Sequence, residues 1–115
     1  MFKRYCCLAI IGVLLLPSLH VSAQRKPGKY IVYGPGTKSC GKWLADNTDS
    51  NAHFINTAWV LGFISGIGYL GWEMKETDSA AINAWIDNYC RSNPLTNIAD
   101  ASAALARELK QQPDR

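Results

Sequence analysis

The 115-residue chain carries twelve Lys and Arg against nine Asp and Glu, a formal net charge of +3. Two of those basic residues, Lys3 and Arg4, fall in a leader; the rest is nearly neutral, at about +1, with no basic surplus for nucleic acid. Roughly ninety residues beyond the leader make one small domain.

Residues 1–23, MFKRYCCLAIIGVLLLPSLHVSA, have the parts of a secretory signal peptide. Lys3 and Arg4 give a positive start, and the apolar run from Cys6 to Leu16 is short for a span. Pro17 breaks it, and Val21-Ser22-Ala23 supplies small residues for a signal peptidase. Cleavage is expected between Ala23 and Gln24, which exports the mature protein; retention of the leader as an anchor is the alternative. Cys6 and Cys7 leave with it. The remaining pair, Cys40 and Cys90, is expected to form one disulfide in an oxidising compartment. A reactive Cys with His53 as its base is the competing reading, but no third orienting group is recognisable.

Residues 24–38 read as an extended basic arm, with one β-prone run, Tyr30-Ile31-Val32-Tyr33. Between Gln24 and Trp43 lie five basic residues and no acidic one; beyond Trp43 the count is five against nine. Gly36-x-x-x-x-Gly41-Lys42 has Walker-loop spacing, but Trp43 stands where magnesium needs Ser or Thr. A turn leading into a helix is the better reading, and no cofactor is expected.

The helical domain is expected over residues 39–112. Ser39 can cap a short helix through Cys40, Trp43 and Leu44. Residues 52–72, AHFINTAWVLGFISGIGYLGW, contain no Lys, Arg, Asp or Glu. Capped by Ser50 or Asn51, they form a helix apolar all round, which belongs in a core or in lipid. Ile55, Ala58, Trp59, Gly62, Gly66 and Tyr69 follow one helical spacing, with Phe54, Leu61 and Ile64 opposite. The mainly acidic flank EMKETD, four diluting glycines and the position of Cys90 beyond the segment favour the core. No membrane span is therefore expected after signal cleavage.

Thr77 or Asp78 caps a third helix whose stripe is Ile82, Trp85, Ile86 and Tyr89, with Cys90 on the core side; Asn93-Pro94 ends it. Thr96 then caps an Ala-rich helix with Ile98, Ala101, Leu105 and Leu109 in a narrow stripe. The expected fold is all-α: a small disulfide-stapled bundle of about four helices. Glu73, Glu76 and Asp78 read as a solvated, helix-capping loop rather than an acid/base pair or a Ca²⁺ site. His53 with an oxidised cysteine pair cannot supply three metal ligands. Of the four tryptophans most belong in the core. Phe54, Leu61 and Trp72 are the candidates for contact with a partner, where aromatic and apolar side chains act as anchors.

CGKWL, the Gly-rich helix WVLGFISGIGYL and YCRSNPLTNIADASAAL together resemble small exported helical proteins of Gram-negative bacteria. The chain resembles the HdeA-type periplasmic acid chaperones in pairing a Cys on the first helix with one before the last, Cys40 and Cys90. It is also similar to the Tai-type immunity proteins, which block amidase effectors delivered by type VI secretion. There the corresponding pieces are Gly62-Phe63-Ile64-Ser65-Gly66, Asn93-Pro94 and Ala101 to Leu105. The likeness covers about residues 39–110 and is one of layout; the YGPGTKSC segment belongs to neither pattern. Both resemblances imply a non-enzymatic protein binder in the periplasm. The first implies an acid-stress chaperone for unfolded periplasmic clients, and the alternative an inhibitor of one toxin. A homodimer is compatible with either, and an uncharacterised enzyme is a third class.

Overall fold

A computed structural model describes residues 30–111. The signal peptide, the Ala23–Gln24 cleavage point, residues 24–29 of the basic arm and Gln112 lie outside them. The described chain is all-α, as the periodicity indicates. A 3₁₀ turn, Gly34–Thr37, leads into α1 (Cys40–Asp46), α2 (Ser50–Tyr69), α3 (Ser79–Ser92) and α4 (Ile98–Leu109).

Each helix starts at a side chain that accepts the amide hydrogens left free in its first turn. Ser39 Oγ accepts from the Lys42 amide at 3.1 Å. Asp49 caps α2 instead of Ser50 or Asn51, accepting from the Asn51 and Ala52 amides at 2.9 and 3.0 Å. Asp78 Oδ1 receives the Ala81 amide at 2.7 Å. For α4 the cap is Asn97, one residue beyond Thr96, with the Asp100 amide at 2.7 Å from its Oδ1. In both shifted cases the cap is the extended residue directly before the helix, Asp49 at φ −107°, ψ 111° and Asn97 at φ −103°, ψ 167°. Gly71, at φ +104°, turns the chain after α2, and Asn93-Pro94 ends α3.

α1 packs on α3 and α2, while α4 lies against both α2 and α3. Trp43, Val60, Ile86 and Ile98 fill the centre without solvent exposure. The Cys40 and Cys90 sulfurs are 2.06 Å apart, the separation of a disulfide, and join α1 to α3. The start of α1 is also stitched to the α3–α4 turn. Cys40 and Gly41 amides donate to the Thr96 and Pro94 carbonyls at 2.7 and 3.0 Å, and the Ile98 amide donates to the Lys38 carbonyl at 2.9 Å.

Of the expected basic arm, residues 24–38, only 30–38 are described. No strand forms among the described residues, and its last third belongs to the domain. Gly36 is buried against α2, where a Cβ would fall 2.3 Å from the Trp59 ring. Trp59 Nε1 donates to the Tyr33 carbonyl at 2.8 Å. This is the turn expected before α1; Gly36 is there for close approach to an indole. Among the described residues no helix is long and apolar enough to cross a membrane.

Candidate protein-binding surface

α2 is apolar on all sides, yet only one side is covered. Asn56, Val60 and Ile64 point into the domain and are buried. The stripe Ile55, Ala58, Gly62, Gly66 and Tyr69 faces outward; Trp59, beside it, is half-buried. A helix with this composition is expected at the centre of a core, but this domain has only α1, α3, α4 and the 3₁₀ turn to set against it. The remaining flank has no covering element among the described residues.

The outward flank has a definite relief. Phe54, at 70% exposure, and Ile55 stand at its start, and Tyr69 and Leu70, at 91% and 81%, at its end. Between them lie Ala58, Gly62, Ser65 and Gly66, and among the described residues nothing approaches within 4 Å of a Cβ built on either glycine. The surface is a shallow saddle of backbone and methyl groups between two apolar ridges. From Ser50 to Trp72 it contains no charged side chain.

Two of the three anchor candidates share a stripe of α2 and the third lies beyond it. Phe54 and Leu61 share one stripe of α2, about 10 Å apart along the axis. Leu61 is half-buried and lines a cavity of about 330 Å³ with Ile64, Met74, Ile82 and Leu109, its mouth edged by Glu76 and Ser79. Trp72 lies past the end of α2, 37% exposed, with Lys110 Nζ 4.5 Å from its ring centre. Phe54 and Leu61 therefore belong to one surface, and Trp72 flanks its C-terminal end. Sequence reasoning missed Ile55, Tyr69 and Leu70 as contact residues, because an all-apolar helix gives no amphipathic signal for which side is wet.

A polar cluster behind this surface fixes α2. Asp46 is 4% exposed at the end of α1, on the stripe begun by Cys40 and Trp43. Its Oδ2 accepts from Lys38 Nζ at 3.0 Å and from Asn56 Nδ2 at 3.0 Å, and Oδ1 accepts from Lys42 Nζ. Lys38 Nζ also donates to Asn56 Oδ1 at 3.1 Å. These bonds, from Lys42, Asn56 and Lys38 in order of effect, hold the Asp46 carboxyl well below the usual carboxylate range, against the opposing effect of burial. Asp46 looks like part of a polar loop in the run ADNTDSN. Its position three residues after Trp43 was the available sign that it faces inward.

A second network joins α1, α2 and α3. Asp87 Oδ1 accepts from Trp43 Nε1 at 2.7 Å and from Asn47 Nδ2 at 2.9 Å, and Asn47 Oδ1 lies 3.0 Å from His53 Nδ1. His53 thus faces an amide and an indole, not a thiol, and the two cysteine sulfurs of the described residues are bonded to each other. Lys42 of the Walker-like run is spent on Asp46, and Gly36 on Trp59. Asp78 is a helix cap, as the acidic loop suggests.

Comparison with protein-family models, with curated proteins and with solved structures finds no match to this chain. The functional reading rests on the chain's own surface.

Proposed function

We propose that this chain is an exported, non-enzymatic domain that binds a partner protein in its folded state, through the charge-free face of α2. One observation carries the reading: a helix without a single charged residue leaves Phe54, Ile55, Tyr69 and Leu70 exposed around two uncovered glycines. Small monomeric domains rarely expose a contiguous apolar face of this kind unless something binds it. Each glycine inside a helix costs about 1 kcal/mol relative to alanine, with no packing reason within the described residues. A backbone approached closely by another molecule supplies the reason. The bonded pair Cys40–Cys90 supports the oxidising compartment.

Because this face is exposed in the folded domain, with no unfolding needed to uncover it, it supports the inhibitor of one folded toxin over a chaperone that first needs acid. The chaperone reading keeps one specific support. The Asp46 cluster ties the N-terminal segment, α1 and α2 together, and its contribution falls as acid protonates the carboxylate.

The test places a photo-crosslinking residue at position 58 and carries the chain through its native periplasm at pH 7. A single partner, captured in proportion to the protein and lost in Gly62→Arg, supports folded-state binding. Crosslinking to a second copy alone makes the face a homodimer interface and removes the inhibitor reading. Protection of aggregating clients at pH 3, with no partner at pH 7, puts the chaperone first.

A further inference from the structure

The side of α4 away from the core carries a second recess, separate from the α2 saddle. Asp100, Ala103 and Arg107 recur at helical spacing along one face of α4 and line a groove of about 510 Å³. Phe63 of α2 and Tyr89 of α3 line it as well, with Tyr30 at one edge. Neither Phe63 nor Tyr89 is a loose flap. Phe63 stacks on Trp59 with ring centres 5.4 Å apart, and Tyr89 stacks on Trp85 at the same distance. Both aromatic walls are therefore backed by an indole, which limits what a ligand must order on binding. A volume of this size, mainly apolar with a few polar groups, is in the range of small-ligand sites.

Charge decides the class of ligand. Asp100 and Arg107 are seven residues apart, about 10 Å along the axis, with Ala103 between them. Among the described residues neither has an ion-pair partner. The groove thus offers an acceptor for a cation near one end, a planar donor for a carboxylate near the other, and aromatic walls between. Three residues of extended peptide span about 10 Å. We propose that the α4 groove binds short zwitterionic peptides of about three residues. The terminal ammonium sits at Asp100, the terminal carboxylate at the Arg107 guanidinium, and the central apolar side chain lies over Ala103 between Phe63 and Tyr89. This site is independent of the α2 surface and stands whether or not that surface binds a protein.

The experiment titrates the folded chain at pH 7 with the tripeptide Ala-Leu-Ala and follows backbone amide NMR signals. Saturable shifts are expected in α4 between Asp100 and Arg107 and at Phe63 and Tyr89. Acetylating the N-terminus or amidating the C-terminus should each weaken binding about tenfold. Arg107→Ala should weaken the free-acid peptide about tenfold and leave the amidated one unchanged; Asp100→Asn should do the same for the free and acetylated amines. Ala103→Phe, which plugs the groove, should abolish all binding. No saturation below about 10 mM peptide, or equal binding of blocked and free peptides, overturns the proposal.

Discussion

Lys38 Nζ lies 3.0 Å from Asp46 Oδ2, so the residue that leads the chain into α1 is bonded to the residue that ends it. Asn56 of α2 shares the same oxygen. A single buried carboxylate thereby holds the N-terminal segment, α1 and α2 in one arrangement, and its negative charge strengthens the bonds from Lys38, Lys42 and Asn56.

Acid should loosen this junction. The folded-state value of Asp46 lies below the ordinary carboxylate range. Its contribution is complete above that range, near pH 4, and is lost as pH falls through the folded value. Urea midpoints measured from pH 6 to pH 2 should fall for the wild type. Asp46→Asn should start lower at pH 6 and show a flatter slope. Equal slopes for the two proteins would show that the other carboxylates, not Asp46, set the acid response.

Removing the staple should cost far more than any surface change. A disulfide that closes a loop with a sequence separation of 50 contributes about 4 kcal/mol in the chain-entropy model. Cys90→Ser, or reduction of the wild type, should lower stability by roughly that amount in chemical denaturation. Thiol labelling of the unreduced, denatured protein should find both Cys40 and Cys90 blocked.

The glycines should divide into two groups. Gly36→Ala drives a methyl group into the Trp59 ring and should cost about 1–3 kcal/mol, with a change in tryptophan fluorescence. Gly62→Ala and Gly66→Ala meet nothing within 4 Å among the described residues, and each should stabilise the isolated chain by about 0.5–1 kcal/mol. The same two substitutions should weaken partner binding. Destabilisation by either one would show that its glycine answers a constraint inside the domain.

Phe54→Asp and Tyr69→Asp alter exposed side chains and should change folding stability by no more than about 0.5 kcal/mol. Both should reduce binding of a hydrophobic dye at pH 7. Unchanged dye binding in the double variant would move the apolar surface elsewhere, with Leu95, 96% exposed in the α3–α4 turn, the next place to look.

Much of this architecture is written in local sequence. The stripes of α3 and α4, Ser39 and Asp78 as caps, the Asn93-Pro94 stop and the pairing of Cys40 with Cys90 follow from spacing and side-chain chemistry, which act within a few residues or through composition. Three features depended on tertiary structure. Asp49 and Asn97 took the caps of α2 and α4, because capping geometry is decided by backbone angles that neighbouring residues share. Asp46 turned inward, because α1 is too short for periodicity to separate its core face from the loop that follows. The wet side of α2 could not be read at all: every face of that helix is apolar, so only the placement of α1, α3 and α4 decided that Val60 and Ile64 are buried while Phe54 and Tyr69 meet solvent.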